Sequence, residues 1–257
     1  MSYTIRAEVK PPFTLEEVEE VLRAAEVEIL FSTETPDGDT EIVGVSPVWP
    51  LDVALTEYAF IHLETLPTID WEAQWREHVP LTKEGLLVLQ IPEYGPLYLL
   101  PGAGFGNTSH PTTCLMLDLM ENLRGKVVVD VGCGSGILSL VAAAKSAASV
   151  VGVDIDADAL LHAEENAALN HLQILFCQPE ECHLLPGNLV ILLNMIRTEQ
   201  AVAWGSLPQL HHTKAELITS GILEKEEELY LNWTRSLGWK LVARYSQEGW
   251  LAFRFTS

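Results

Sequence analysis

The second half of the chain alternates short apolar runs with longer amphipathic segments. The apolar runs are rich in Val, Ile and Leu, which is typical of strands buried on both faces of a parallel sheet. Five such strands are predicted, at residues 126–130, 149–153, 172–177, 189–193 and 216–220. The intervening segments 137–147, 157–170, 198–207 and 224–237 have the period of helices. This alternation predicts right-handed βαβ units.

Two further strands are predicted at the C-terminal end, at residues 240–246 and 249–255. Only a short turn separates them, so they must be antiparallel, because a parallel pair requires a long crossover connection. The fold class that follows is α/β: a doubly wound, seven-stranded, mostly parallel sheet of the Rossmann-like kind.

The first part of the chain has a different pattern. Residues 3–9 alternate as a half-buried strand, residues 14–25 form an amphipathic helix, and residues 27–31 and 41–46 have the pattern of two more strands. A capping box, Thr14 with Glu17, marks the start of that helix. We therefore expect a small α+β domain over residues 1–65, a linker and bridging segment over 66–100, and a cofactor-binding domain over 101–257.

Acidic residues dominate the charge of the chain. Its formal net charge is −21, which argues against direct binding to nucleic acid, because phosphate contacts need a basic surface. Residues 1–70 contain fifteen acidic against three basic residues, a net charge of −12 in the first part of the chain. Such a surface would attract a basic protein substrate to the small domain, although solubility alone also explains it.

Neither a membrane protein nor a metalloprotein is indicated. No apolar run approaches the roughly 18–20 residues that cross a bilayer, and the N-terminus lacks the pattern of a signal peptide, so a cytoplasmic location is expected. The four cysteines form no Cys-x-x-Cys pair. Cys177, Cys182 and His183 could serve as three metal ligands, but a strand-end thiol followed by a loop is the simpler interpretation. No metal is predicted.

The most informative segment is residues 130–136, DVGCGSG, which follows the first strand of the predicted sheet. Its glycines, Gly132, Gly134 and Gly136, allow a tight turn and let a ligand approach the backbone. Asp154 ends the next strand, 24 positions after Asp130. There its carboxylate could accept hydrogen bonds from ribose hydroxyls. The segment predicts a nucleotide-type cofactor at the carboxyl ends of the strands.

The details of this loop favour S-adenosylmethionine over a dinucleotide. A dinucleotide fingerprint, G-x-G-x-x-G, would place its third glycine at position 137, where the chain has Ile137. The acidic Asp130 also suits a cofactor that carries an ammonium and a sulfonium, and that has no pyrophosphate to bind at a helix N-terminus. We therefore expect an S-adenosylmethionine-dependent methyltransferase, with a nucleotide-binding oxidoreductase as the alternative.

The segment before the loop makes this expectation more specific. Residues 101–117, PGAGFGNTSHPTTCLML, resemble the signature that precedes the cofactor loop in the ribosomal protein L11 methyltransferases, the PrmA family. The segments KVVVDVGCGSGILSL, GVDIDADAL and SGIL are also similar to that family. The resemblance is continuous from about Trp71 to the C-terminus and weak over the first 65 residues. It implies N-methylation of lysine and N-terminal amines on a large-subunit ribosomal protein, a basic partner.

The resemblance also implies roles for individual residues. Asn194 would lie beside the transferring methyl group. We hypothesise that its side chain, or neighbouring backbone carbonyls, orients the amine, so Asn194 is the predicted catalytic residue. Phe105 and Gly106 resemble part of a lid over the cofactor. The complete set of predicted cofactor-binding residues is Thr113, Asp130, Gly132, Gly134, Gly136, Asp154, Asn194, Phe105 and Gly106.

Several alternatives stay open at this point. His110 could act as a general base, but a histidine at a helix start is more often structural. Thr112 and Thr113 could equally form a helix N-cap. The chain departs from the family pattern at residues 106–108 and at Arg197, beside the methyl-transfer site. These departures keep open a methyltransferase for another protein or a small amine, and a non-catalytic relative that binds the cofactor.

Overall fold

A computed structural model of the chain describes residues 3–34, 40–46, 51, 53–63, 85–101, 110–183, 186–211 and 213–257. Tertiary contacts divide the chain into two compact units. The first is Met1–Ile69 with Glu228–Ser236, and the second is Asp70–Glu227 with Leu237–Ser257. Each unit has a hydrophobic core of its own.

The first unit is built on a four-stranded antiparallel sheet. Its strands are β1 (Tyr3–Val9), β2 (Glu28–Glu34), β3 (Thr40–Ser46) and β4 (Ala59–Leu63), in the order β2-β3-β1-β4. Helix α1 (Leu15–Ala24) buries Val18 and Leu22, four residues apart, in one core with Ile5 and Ala7 of β1. A 3₁₀ turn, Val53–Glu57, precedes β4.

Helix α1 begins at the predicted capping box. The Glu17 backbone N–H donates to the Thr14 hydroxyl at 3.4 Å, and the Thr14 backbone N–H donates to the Glu17 carboxylate at 2.8 Å. These two hydrogen bonds confirm the predicted capping box. The sequence could predict it because the motif depends only on residues three apart in the chain.

The second unit contains a seven-stranded sheet. Its strands are β7 (Val127–Val131), β8 (Ser149–Val153), β9 (Leu175–Cys177), β10 (Leu189–Asn194), β11 (Ala215–Leu223), β12 (Lys240–Gln247) and β13 (Trp250–Thr256). Their order is β12-β13-β11-β10-β7-β8-β9. Strands β7 to β11 are parallel, and β13 runs antiparallel to both β11 and β12. The predicted fold class, including the C-terminal antiparallel hairpin, is confirmed.

Burial explains why the central strands have nearly continuous apolar sequences. All five residues of β7 are buried, as are the first five of β10. Helices α2 (Pro111–Leu119), α3 (Ile137–Ala144) and α4 (Ala157–Leu169) share one core with these strands. Helix α5 (Arg197–Gly205) follows β10, and helix α6 (Glu227–Ser236) precedes β12.

Some boundaries differ from the sequence prediction. Helix α3 ends at Ala144, before the predicted end at 147, because Ser146 adopts a positive φ of 63° that takes the chain out of the helix. Strand β9 begins at Leu175 rather than at 172, and residues 224–226 form a 3₁₀ turn before α6. Strand β4 was not predicted; it is a short strand at the edge of the described sheet, where it pairs with β1.

A two-stranded hairpin belongs to the second unit. Its strands are β5 (Leu87–Ile91) and β6 (Gly95–Leu99), and Leu87, Leu97 and Leu99 are buried in the core of that unit. Residues 64–84 lie outside the described part of the chain. The domain boundaries predicted at residues 65 and 100 therefore stay predictions.

Candidate cofactor site

The candidate site lies at the carboxyl ends of β7, β8 and β10. The chain proceeds from β7 through β8 to β9 on one side, and β10 then lies on the other side of β7. A crevice forms at such a switch point in a doubly wound sheet. The glycine loop follows β7, Asp154 follows β8, and Asn194 ends β10. The fold therefore brings these predicted residues to one edge of the sheet.

The glycine loop is tied to the neighbouring strand. The backbone N–H groups of Gly132 and Cys133 donate to the carbonyl of Val153 in β8, at 2.8 and 3.0 Å. Gly132, Gly134 and Gly136 all have positive φ, at 67°, 54° and 79°. A Cβ at Gly132 would also collide with the thioether of Met195. These glycines are needed because side chains rarely tolerate this backbone conformation.

Asp154 is fixed by hydrogen bonds to backbone groups. Its Oδ2 accepts from the N–H of Gly134 at 2.9 Å, and its Oδ1 accepts from the N–H of Asp156 at 3.0 Å. The side chain is half-buried. A carboxylate has about four acceptor positions, so two remain for donors such as ribose hydroxyls. One carboxylate thus both anchors the loop and keeps capacity for a ligand.

Asp130 has a different environment from Asp154. It is 1% exposed, and the hydroxyl of Ser139 donates to its Oδ2 at 2.7 Å. Burial raises the pKa of Asp130 to about 7, with a further increase from the charge of Asp154, while the bond from Ser139 acts in the opposite direction. This carboxyl therefore titrates near neutral pH, where a nearby cationic group would favour its ionised form.

Two of the predicted cofactor residues have buried oxygens without a hydrogen-bond partner among the described residues. They are Oγ1 of Thr113 and Oδ1 of Asn194. Leaving a buried polar atom unpaired costs about 1–3 kcal/mol, so a ligand that reaches either atom gains binding energy. S-adenosylmethionine carries an ammonium, hydroxyls and an amino group that could serve as donors. The residues present therefore fit the predicted cofactor.

The turn after Asn194 is supported from behind by Gln200 of α5. This side chain is fully buried, and its Nε2 donates to the carbonyls of Met195 at 2.7 Å and Ser220 at 2.8 Å. Its Oε1 accepts from the hydroxyl of Thr219 at 2.9 Å. The turn is thus joined to β11 through a single amide.

His110 is the N-cap of α2. Its Nδ1 accepts from the backbone N–H of Thr112 at 3.3 Å and lies 2.8 Å from the hydroxyl of the same residue. The ring also packs edge-on against Trp250, with centroids 5.6 Å apart. The idea that Thr112 or Thr113 caps the helix was wrong, because the helix begins at Pro111 and both threonines already lie inside its first turn.

A comparison with known protein families covers the part of the chain that forms this site. The family model for ribosomal protein L11 methyltransferase (PrmA) matches residues 7–257, which include the glycine loop, Asp154 and Asn194. The chain belongs to the ribosomal protein L11 methyltransferase family. The resemblance found in the sequence is thereby confirmed.

Individual members of this family show how far the similarity extends. A ribosomal protein L11 methyltransferase of Legionella pneumophila (strain Corby) is 31% identical over 297 residues, with both chains fully covered. One of Geobacter sulfurreducens is 37% identical over 192 residues, which cover 70% of this chain and 63% of the relative. The crystal structure of a ribosomal protein L11 methylase from Lactobacillus delbrueckii subsp. bulgaricus is 26% identical. It matches 61% of this chain and 82% of its own, with a TM-score of 0.50.

Arg197, a departure from the PrmA pattern, has a structural explanation. Its side chain is 4% exposed, and its Nε lies 3.3 Å from Oε1 of Glu226. The other carboxylate oxygen of Glu226 accepts from the N–H of Leu223 at 3.3 Å. The positive charge is therefore balanced by a carboxylate of the same unit.

A row of polar side chains along α4 and at its C-cap was not predicted from the sequence. His162, Asn166 and Asn170 are spaced four residues apart, and all three are nearly or fully buried. Their contacts are with β6, with the residue after it and with the glycine loop. The spacing of the three residues along a helix that is otherwise rich in alanine was the signal that could have revealed them.

Glu199 was also missed. It is half-buried in the first turn of α5, five residues after Asn194. Burial raises its pKa, and so does the charge of Asp154, so these two carboxylates lie within electrostatic reach of each other.

The cysteines form no metal centre in the part of the chain that the structure describes, where no cluster of three or more His, Cys, Asp or Glu side chains could hold an ion. The thiols of Cys177 and Cys182 are hydrogen-bonded to each other, and burial raises the pKa of Cys177 to about 11. No described helix is both long enough and apolar enough to cross a bilayer. Phe105 and Gly106 lie outside the described residues, as do the sequence departures at 106–108.

Proposed function

We propose that this protein transfers the methyl group of S-adenosylmethionine to amines of ribosomal protein L11, at lysine side chains and at the N-terminus. The observation that carries the proposal is the family match over residues 7–257. That match spans every element of the candidate site. If the substrate is a ribosomal protein, the enzyme works in the cytoplasm.

The cofactor would be held by residues from three strand ends and from α2. Asp154 has acceptor capacity for the ribose, and the glycine loop offers backbone without side chains. Thr113 and Asn194 offer buried oxygens that have no partner among the described residues. When bound, S-adenosylmethionine supplies a methyl carbon that is activated by the sulfonium charge. The near-neutral pKa of Asp130 allows its carboxyl to ionise when a cation binds nearby.

The difficulty of the reaction lies with the nucleophile. A lysine amine has an unperturbed pKa near 10.4, so at pH near 7.4 its neutral form lies roughly 4 kcal/mol above the ammonium. Desolvation beside a positive charge lowers that pKa, and alignment at contact distance can contribute up to roughly 7–11 kcal/mol. The buried, unpaired Oδ1 of Asn194 is the acceptor we propose for an amine N–H. It would hold the nitrogen lone pair toward the methyl carbon.

Substrate recognition is assigned to the acidic first unit. Its helix α1 presents Glu16 and Glu20 to solvent, and residues 1–70 carry a net charge of −12. A basic protein would be attracted to this surface, with an effect mainly on the rate of association.

The test is transfer of labelled methyl from S-adenosylmethionine to purified large-subunit ribosomal proteins. We expect label on L11 with the wild-type protein. We also expect at least about tenfold weaker cofactor binding by calorimetry for Asp154→Ala, because a charge-assisted hydrogen bond is worth roughly 1.5–3 kcal/mol. Glu164→Ala, an exposed change on α4, is the control and should bind normally.

Each other outcome removes a different part of the proposal. Label on a different ribosomal protein would keep the chemistry and discard the substrate. Cofactor binding without any transfer would discard the enzymatic role. Unchanged affinity in Asp154→Ala would discard the ribose assignment.

A further inference from the structure

The row of polar residues on α4 reaches two separate parts of the second unit. Asn170 contacts β6: the N–H of Tyr98 donates to its Oδ1 at 2.8 Å, and its Nδ2 donates to the carbonyl of Tyr98 at 2.6 Å. His162 lies one turn before Asn166, with its Nε2 2.9 Å from the carbonyl of Leu100. These two residues therefore hold the hairpin strand and the residue that follows it.

Asn166 makes a different connection, because its single amide bridges two segments. Its Oδ1 accepts from the N–H of Leu100 at 2.7 Å, and its Nδ2 donates to the carbonyl of Ser135 at 2.9 Å. Ser135 lies in the glycine loop and is fully buried. Among the described residues, the bond from Asn166 to Ser135 links this polar row to the loop.

The bond to Ser135 acts on the most permissive part of that loop. Gly134 and Gly136 flank Ser135, and both have positive φ, at 54° and 79°. Glycine populates several backbone conformations about equally, so a loop of this kind needs anchors to keep one of them. Asp154 anchors the N–H of Gly134 at 2.9 Å, and Asn166 anchors the carbonyl of the next residue from a different element.

We propose that Asn166 is a positioning residue for the cofactor, which holds the glycine loop in its binding conformation and ties it to Leu100. This inference rests on the proposed function, since it takes the loop to bind S-adenosylmethionine. Asn166 is fully buried, so it acts through the loop. Without the bond to Ser135, part of the loop would become ordered only when the cofactor binds. The entropy lost in that ordering would weaken the binding of the cofactor.

A purely structural role for the whole row makes a different prediction. In that case Asn166 and Asn170 would both affect folding, and neither would affect cofactor affinity in the folded protein. Asn170 is the matched control, because it is the C-cap of the same helix and bonds to the backbone of β6. Its side-chain hydrogen bonds go to the backbone of Tyr98 and to the carbonyl of Asn166, not to the cofactor loop.

The experiment uses the full chain and three variants: Asn166→Ala, Asn166→Asp and Asn170→Ala. The aspartate keeps an acceptor for the N–H of Leu100, but in its ionised form it has no donor for the carbonyl of Ser135. Isothermal titration calorimetry with S-adenosylmethionine gives the affinity, and urea unfolding gives the stability and shows which variants are folded. Methyl transfer at increasing cofactor concentration separates KM from kcat.

We expect both Asn166 variants to bind S-adenosylmethionine about tenfold more weakly. Their KM for the cofactor should rise while kcat at saturation stays within about threefold of wild type, because the residue does not touch the reacting atoms. Asn170→Ala should lose stability yet bind the cofactor within about twofold of wild type. If Asn166→Ala does not fold, the affinity of folded Asn166→Asp for S-adenosylmethionine tests the inference by itself.

Two results would overturn the inference. One is cofactor affinity within about twofold of wild type in the folded Asn166 variants, and the other is an equal loss of affinity in Asn170→Ala. A wild-type protein that does not bind S-adenosylmethionine at all would instead overturn the proposed function, so the two failures are distinguishable.

Discussion

Two acidic residues at neighbouring strand ends show how much the surroundings of a side chain decide its chemistry. Asp154 is half-buried and accepts two backbone hydrogen bonds, at 2.9 and 3.0 Å. Asp130 is buried, and the hydroxyl of Ser139 is its hydrogen-bond donor at 2.7 Å. The sequence assigns both to the cofactor, and burial raises the pKa of Asp130 to about 7.

The raised pKa of Asp130 predicts a pH dependence of stability. The unfolded carboxyl titrates near 3.9, so the folded protein binds this proton more tightly than the unfolded chain does. Its contribution to the free energy of unfolding is therefore fully present below about pH 4 and is lost as the pH rises to about 7. Relative to Asp130→Asn, the wild-type protein should lose more than about 1 kcal/mol of stability between pH 5 and pH 8.

Urea unfolding of both proteins at pH 5 and pH 8 measures this difference. Taking the wild type relative to the variant removes the contribution of histidines and other groups common to both proteins. An equal stability difference at the two pH values would show that Asp130 ionises in the folded protein with an ordinary pKa.

At the scale of elements, the turn after β10 depends on residues from α5 and β11. Gln200 of α5 bonds to the carbonyls of Met195 and Ser220, and Gly221 has a φ of 93°. A Cβ at Gly221 would collide with the carbonyl of Met195. The position of Asn194 is thus set by close packing between three elements, not by the turn sequence alone.

Replacing Gln200 by Met keeps a side chain of similar length but removes these hydrogen bonds. We expect a loss of about 2–4 kcal/mol in stability, because a buried and a partly buried carbonyl lose their donor. We also expect kcat for methyl transfer to fall at least about tenfold, with cofactor affinity changed less, because Asn194 would be less well positioned. Urea unfolding, calorimetry and kinetics measure the three effects.

Gln209→Met is the matched control for this change. Gln209 also donates to a backbone carbonyl, that of Cys182 at 3.2 Å, and is only partly buried. It should lose less stability and keep its kcat. A normal kcat in folded Gln200→Met would show that the turn holds its conformation without that side chain.

At the scale of the whole molecule, the uneven distribution of charge along the chain bears on how a basic substrate would be recognised. Residues 1–70 carry −12 of a total of −21. The first unit is discontinuous in sequence, because Glu228–Ser236 belong to it. Substitution of exposed residues is therefore a cleaner test of its role than truncation, which would leave part of the unit behind.

The double change Glu16→Gln and Glu20→Gln removes two exposed charges from α1. We expect KM for L11 to rise several-fold at low salt, with kcat and cofactor affinity unchanged, because the charges would steer the basic substrate. The difference should shrink at high salt through screening. The same double change at Glu164 and Glu165, which are exposed on α4 of the second unit, should have little effect.

Equal effects from the two pairs would mean that only the net charge of the protein matters. No effect from either pair would remove the recognition role of α1. Steady-state kinetics at two salt concentrations distinguish these outcomes.

The sequence by itself determined the fold class, the order of the strands in the chain, the capping box and the glycine loop. These features depend on short-range patterns: the period of apolar residues, the Thr14–Glu17 spacing, and glycines between a strand and a helix. The short turn between the last two strands likewise left only an antiparallel arrangement. Where such patterns were weak, as at the edge strand β4 and the start of β9, the boundaries were missed.

Only the tertiary structure decided the environments of the side chains. Asn166 joins the carbonyl of Ser135, 31 residues away, to the N–H of Leu100, 66 residues away. Arg197 is balanced by Glu226, 29 residues along the chain. The high pKa of Asp130 comes from burial. Burial and long-range hydrogen bonds depend on how distant segments pack, and no local pattern in the sequence encodes that packing.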